Sequence, residues 1–342
     1  MNAPRNSRSF LSAFQGFDTT LREIFVERPK AYAQGMREKL RDLPRTNFEM
    51  GCQFAAQNLW QDAVFRFRVA IWLRPNFVQA WYNLGCSQVR LGQKAKARQS
   101  FLQALRIDPG HTDSVFMLSA LDPASVPPAQ RPQRMQPALM KQFFTGLAAN
   151  YDAIELQNQY EGGRQVFDVV QPLLAGRKDL VVVDLGCGTG LASRPWRPLA
   201  KEVVGVDFTP ALVAVARGEQ KEGEGMLFAR VLEEDVYDLQ QSTAPIEQAD
   251  LILLVNVAQF LGNLEPVFAA LGARMKAGAK AVVTIEALNA PSGYMVNLET
   301  GRFGHHPEYI KQQAGKAGLS VAKEARVQLY PSFTAQVFVV GK

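Results

Sequence analysis

The chain has 342 residues, 47% hydrophobic and 20% charged, a globular composition that excludes collagen-like, disordered and coiled-coil chains and leaves room for about two domains. Three cysteines, Cys52, Cys86 and Cys187, are too few and too scattered for a disulfide framework or a metal site, so no metal is expected and a reducing cytoplasm is the expected compartment. The net charge of +6 is uneven: residues 1–150 hold 20 Lys and Arg against 10 Asp and Glu, and residues 151–342 hold 18 against 22, so two modules with different partners are expected.

Residues 1–10 carry Arg5 and Arg8 with no apolar stretch behind them, so no secretory leader is expected. No apolar run reaches the ~18 residues of a membrane-spanning helix. From Asn47 to Pro109 a pattern recurs with a period of 34: Gly51, Phe54, Ala63, Phe67, Ala70 and Pro75 align with Gly85, Gln88, Ala97, Phe101, Ala104 and Pro109. Cys52 and Cys86 obey the same offset and are expected in the core. Small residues facing bulky ones at this period resemble the tetratricopeptide repeat, with copies at about 44–77 and 78–111. Each copy is a helical hairpin that cannot bury its apolar face alone, so capping helices are expected over Thr20–Leu43 and from Thr112, where Val115 and Leu118 begin a truncated third copy. The resemblance makes residues 1–121 an all-α repeat domain. Nine basic residues against three acidic ones across 44–111 predict a basic surface.

Residues 122–137 hold five prolines and read as a semi-rigid linker. From Ala138 the rhythm changes to strands alternating with helices, which predicts an α/β domain over 138–342 with a parallel sheet. Helices are expected at Ala138–Asp152, Gly162–Leu174, Pro210–Arg217, Leu264–Met275 and His306–Ala317. Strands are expected at Leu180–Leu185, Glu202–Val206, Leu227–Leu232, Ala249–Val255, Lys280–Ile285, Leu319–Ala325 and Ala335–Val340.

The chemistry centres on V-V-V-D-L-G-C-G-T-G, Val181 to Gly190, a strand feeding a glycine turn and then a helix. Glycines let the backbone approach a ligand, and a helix N-terminus offers free N–H groups. Asp207, at the tip of the second strand, stands where a carboxylate accepts both ribose hydroxyls, so the two segments together specify an adenosyl ligand. The D-L-G-C-G-T-G spacing, with Asp184 before the glycines, resembles motif I of the class I S-adenosylmethionine-dependent methyltransferases rather than a dinucleotide fingerprint. Asp207 to Arg217 (D-F-T-P-A-L-V-A-V-A-R) is similar to that family's continuation. The resemblance implies a Rossmann-like domain with a seven-stranded, mostly parallel sheet, and S-adenosylmethionine as cofactor. It makes Gly186, Cys187, Gly188, Gly190, Asp207 and Phe208 cofactor contacts and gives Asp184 the methionine amino group. It also implies Asp235 and Val236 for the adenine, with Glu233 and Glu234 as alternatives in register, and sets Asn256 at the end of the fourth strand facing the methyl-transfer site. The whole chain, including M-K-Q-F-F-T-G-L-A-A-N-Y-D and G-R-F-G-H-H-P-E-Y-I, resembles a bacterial family of methyltransferases with N-terminal tetratricopeptide repeats. Its catalytic half is similar to quinone-pathway and biotin-pathway carboxyl methyltransferases, which makes Tyr151 a lid residue. Pro195 and Pro198 depart from the pattern and predict a short or kinked helix after the glycine turn.

Cys187 is more readily a buried filler than a nucleophile, since nothing basic accompanies it in sequence. Candidate catalytic groups are His305 and His306, for proton transfer from an acceptor hydroxyl, with Glu286 and Tyr294 flanking the loop after the fifth strand. The expected activity is methyl transfer to an oxygen or nitrogen of a small molecule or protein, with the repeats recruiting a protein partner. The rival is a partner-binding repeat protein whose methyltransferase fold is a non-catalytic or regulatory module. Nucleic acid is disfavoured as acceptor, because V-N-V-A-Q-F stands where an N-P-P-Y-type motif belongs.

Overall fold

The computed structural model describes residues 42–218, 226–288, 293–298 and 300–342. The chain divides into two compact units, Met1–Leu121 and Asp122–Lys342. In the first, α1 (Leu43–Ala56), α2 (Trp60–Leu73), α3 (Val78–Arg90), α4 (Lys94–Ile107) and α5 (Thr112–Leu121) pack each on the next. The period of 34 has a physical origin in two matched contacts. A Cβ at Gly51 stands 2.6 Å from the Phe67 ring, and one at Gly85 stands 2.6 Å from the Phe101 ring, so each hairpin closes by laying a ring on a bare backbone. Ala63, Ala70, Ala97 and Ala104 are fully buried beside those rings. Gln88, which replaces the Phe54 of the first copy, is buried and satisfied because Ser100 Oγ donates to its Oε1 at 2.7 Å. The truncated third copy is α5, packed on α4. The expected cap over Thr20–Leu43 falls almost wholly outside the described residues.

The second unit opens with a segment that was expected to be a linker but is docked. Met135 N–H donates to Phe260 O at 2.9 Å, and the N–H groups of Gly262 and Asn263 both donate to Gln133 O at 2.8 Å. Then come α6 (Pro137–Leu147), α7 (Tyr151–Gln157) and α8 (Gly162–Val170), with 3-10 turns where the sequence pattern continued α6 to Asp152 and α8 to Leu174. The main sheet holds β1 (Leu180–Leu185), β2 (Ala200–Asp207), β3 (Arg230–Glu233), β4 (Leu251–Leu254), β5 (Lys280–Ile285), β8 (Ser320–Tyr330) and β9 (Phe333–Gly341). Their order is β3-β2-β1-β4-β5-β9-β8, with parallel pairs from β3 through β5 and antiparallel pairs at β9 and β8. Between β2 and β3 lies α9 (Pro210–Gly218), and α10 (Glu265–Arg274) lies between β4 and β5. A separate pair, β6 (Tyr294–Val296) and β7 (Phe303–His305), precedes α11 (Pro307–Lys316).

One sequence expectation fails and another is met, each for a physical reason. The last strands are longer than their apolar runs, because β8 lies at the sheet edge and exposes Glu324 and Gln328 while burying Val327 and Leu329. The helix after the glycine turn is reduced to a 3-10 segment, Arg194–Leu199, holding Pro195 and Pro198. Proline removes the N–H that would continue an α-helix, so no α-helix N-terminus stands behind the turn. The strand order reverses between β1 and β4, and an open α/β sheet binds ligands in the crevice beyond the strand ends at such a point.

Candidate active site

A cavity of about 630 Å³ lies at that switch point, inside the ~300–1,000 Å³ typical of small-molecule sites. Its floor is the turn after β1. Gly186 and Gly188 adopt φ of +76° and +54°, a region costly for other residues, and a Cβ on Gly188 would meet no atom within 4 Å. The turn is stitched to the end of β2: Gly186 and Cys187 N–H both donate to Val206 O, at 2.7 and 3.0 Å. Asp207 completes the seam. One carboxyl oxygen accepts from Gly188 N–H at 3.0 Å and the other from Thr209 N–H at 2.8 Å. Burial raises its carboxyl above the ordinary range, against those two hydrogen bonds. Gly186, Cys187, Gly188, Asp207, Phe208, Asp235, Val236, Asn256 and Tyr151 all line the cavity.

Asp184 and Gly190 do not line it. Asp184 is buried behind the turn, where Ser193 Oγ donates to Oδ2 at 2.7 Å and Oδ1 has no hydrogen-bond partner. Burial raises its carboxyl to about 7, with the Asp207 charge adding to the rise. Asp235 meets Arg134 at 2.7 Å, and its other oxygen accepts from Tyr237 N–H at 2.9 Å. Glu234 instead accepts from Thr243 N–H at 3.1 Å and from the Ser242 hydroxyl, so Asp235 alone of the three acids faces the cavity. Cys187 is a buried filler: its sulfur sits 2.7 Å from where a Cβ on Gly205 would stand, and burial holds its thiol far above the usual range.

The opposite wall comes from α6, α7 and the ends of β4 and β8. Pro137, Met140, Phe143, Phe144 and Tyr151 cover one side, with Phe144 edge-on to Phe260 at 5.6 Å. Asp152 ties α7 to the turn, accepting from Thr189 Oγ1 at 2.5 Å and from Arg194. Asn256 holds a φ of +61°; its N–H donates to Thr284 Oγ1 at 2.7 Å and its Nδ2 to the Tyr330 hydroxyl at 3.2 Å. A strained residue at a strand end is retained only where the surroundings fix it, and here it aims an amide into the cavity.

The four catalytic candidates stand elsewhere. His305 is fully buried beside Tyr309, with Nε2 against the carbonyls of Leu261 and Gly262 at 2.8 and 3.1 Å, and burial lowers its imidazole to about 4. His306 caps α11, its Nδ1 accepting from Glu308 N–H at 3.2 Å. Tyr294 donates to Gln133 Oε1 at 3.2 Å. Glu286 accepts from Asn297 Nδ2 and, at 3.3 Å, from Thr300 Oγ1. None of the four lines the cavity. Sequence reasoning passed over Glu155, Arg302 and Tyr330, which do. Spacing alone exposes one of them, since Glu155 follows Tyr151 by four residues and so shares its helix face.

Among the described residues no group of His, Cys, Asp and Glu is placed to hold a metal, and no helix is long and apolar enough to cross a membrane. Residues 183–281 match a family described as a methyltransferase domain, and residues 78–111 match the tetratricopeptide repeat. No curated protein matches the sequence. Solved structures similar in fold include a Burkholderia thailandensis 1,6-didemethyltoxoflavin-N1-methyltransferase with bound 1,6-didemethyltoxoflavin and S-adenosylhomocysteine. It is 16% identical over 60% of this chain and 88% of that one, with a TM-score of 0.47. Another is the Synechocystis PCC 6803 magnesium protoporphyrin IX methyltransferase with bound S-adenosylhomocysteine, 16% identical over 60% of this chain and 100% of that one, at 0.49. A third is a Leishmania major S-adenosylmethionine-dependent methyltransferase, 16% identical over 58% and 80%, at 0.46. The family matches give the chain a methyltransferase domain over residues 183–281 and a tetratricopeptide repeat over residues 78–111, and the strand order makes the second unit Rossmann-like.

Proposed function

We propose that the chain transfers a methyl group from S-adenosylmethionine to an oxygen or nitrogen acceptor, and that its repeats recruit a protein partner. The observation that carries the first part is the seam between Asp207 and the glycine turn: a buried carboxylate on the cavity wall, held by Gly188 and Thr209 N–H groups and keeping lone pairs for a ribose. The residues present fit the cofactor. Gly188 leaves open space where a side chain would stand, so the backbone of the turn can come close to a ligand. Asp235 and Val236 offer the polar and apolar sides of an adenine seat. When bound, S-adenosylmethionine supplies an already activated methyl carbon, so the protein's own task is to position the acceptor and exclude water. Phe143, Phe144, Phe260 and Tyr151 serve the second need, and Asn256 with Tyr330 serve the first.

A thermal-shift series with S-adenosylhomocysteine tests the reading. The melting temperature rises with ligand concentration if the site is as described, and an unmoved transition at millimolar ligand sinks it.

For the repeats, the support is charge. Arg68, Arg90, Lys94, Lys96 and Arg106 are exposed, which suits an acidic protein surface. Capture of such a partner by the full chain should fade with salt and with Arg68→Glu and Lys96→Glu. Salt-insensitive capture would refute this part.

A further inference from the structure

The cavity holds one carboxylate that the cofactor reading leaves unused. Glu155 lies on α7, one helical turn beyond Tyr151, and lines the cavity together with Tyr151, Asn256, Arg302 and Tyr330. Its Oε2 is buried without a hydrogen-bond partner. The hydroxyls of Tyr330 and Tyr151 reach toward its carboxyl, and Asn256 Nδ2 holds the Tyr330 oxygen at 3.2 Å. Tyr330 is further fixed by Tyr160, whose ring centroid is 5.2 Å away. A glutamate on a helix thereby shares the cavity wall with Asn256, which follows β4 at the switch point.

We infer that Glu155 is the proton acceptor of the transfer step, and that the methyl acceptor is a neutral, weakly acidic small molecule, a phenol or comparable hydroxyl compound, rather than a carboxylate. This rests on the methyltransferase reading above. In the step, the acceptor oxygen forms its bond to the methyl carbon, the carbon–sulfur bond breaks with its electron pair on sulfur, and the hydroxyl proton passes to Glu155. Three features support it. A carboxylate acceptor has no proton to give and no use for Glu155. Phe143, Phe144 and Phe260 give the cavity flat apolar walls suited to an aromatic body. Burial also makes Glu155 a better proton acceptor than an exposed glutamate. Burial raises its carboxyl, Tyr330, Tyr151 and Arg302 pull it down, and Asp152 pushes it up.

The test supplies the full-length protein with methyl-tritiated S-adenosylmethionine and, separately, catechol, 8-hydroxyquinoline, benzoate and octanoate. Label should enter the hydroxyl compounds and not the acids. Glu155→Gln keeps the side-chain shape and an acceptor for the tyrosine hydroxyls. It should lower kcat about 100-fold with the KM for S-adenosylmethionine within about twofold. It should also move the rising limb of the pH profile to the acceptor's own ionisation, and Glu155→Asp should recover part of the rate. Preferential labelling of benzoate or octanoate overturns the inference, as does an unchanged rate and pH profile in Glu155→Gln. So does the absence of any labelled hydroxyl compound while S-adenosylmethionine still binds. Failure to bind S-adenosylmethionine at all refutes the earlier reading instead.

Discussion

The two ends of the cavity are built by opposite means. At the β1–β2 end the walls are largely backbone: Gly186, Cys187 and Gly188 donate into Val206 and Asp207, and the geometry depends on positive φ angles. At the β4–α7 end the walls are side chains from distant segments, Tyr151 and Glu155, Asn256, Arg302 and Tyr330, held by one another. A backbone cradle admits one shape of ligand and tolerates little substitution, whereas a side-chain wall can be retuned residue by residue. One fold can thus keep a fixed donor site while its acceptor site varies.

That contrast can be broken at several points, the largest effect first. Asp184 sits behind the backbone end with a carboxyl raised to about 7 by burial. In the ligand-free protein the folded state therefore binds more protons than the unfolded chain between about pH 4 and pH 7, so stability falls as pH rises through that window, by on the order of 4 kcal/mol. Thermal unfolding against pH should show the fall in wild type and a flatter curve in Asp184→Asn. A wild-type curve that rises through the window contradicts the assignment.

Next is Asp207→Ala, which removes the carboxylate that holds Gly188 and Thr209. Affinity for S-adenosylhomocysteine should drop about 100-fold, on the order of 3 kcal/mol. Unchanged affinity would show that the seam does not shape the site.

Gly85→Ala probes a different use of glycine in the repeat unit. Its methyl would stand 2.6 Å from the Phe101 ring, so the fold should lose about 2 kcal/mol. Cofactor affinity should stay as it was. A coupled loss of affinity would mean that the repeat packing and the cofactor site are not separable. The smallest effect is Gly188→Ala, where space is free but φ is +54°. The strained turn should weaken cofactor binding about tenfold and leave the melting temperature within a few degrees.

The backbone end was legible in the sequence because its parts are contiguous. V-V-V-D-L-G-C-G-T-G and V-V-G-V-D each carry strand, turn and acid in one stretch, and the parallel pairing of β1 with β2 brings the two stretches together. The side-chain end was not. His305, Tyr294 and Glu286 stand near a strand end in sequence, but the β6–β7 pair folds that loop back on itself and they lie outside the cavity lining. Nothing local marks Tyr330, whose place depends on β8 running at the sheet edge and ending at the cavity. The repeats are legible for the same reason as the glycine turn: Gly51 with Phe67 and Gly85 with Phe101 are local pairs at a fixed offset.

The central claim is that the backbone end is an S-adenosylmethionine site. Calorimetric titration of the full-length protein with S-adenosylmethionine tests it most directly. The account predicts saturable heat at one ligand per chain, lost or strongly weakened in Asp207→Ala. Absence of saturable heat from the wild-type protein would contradict it.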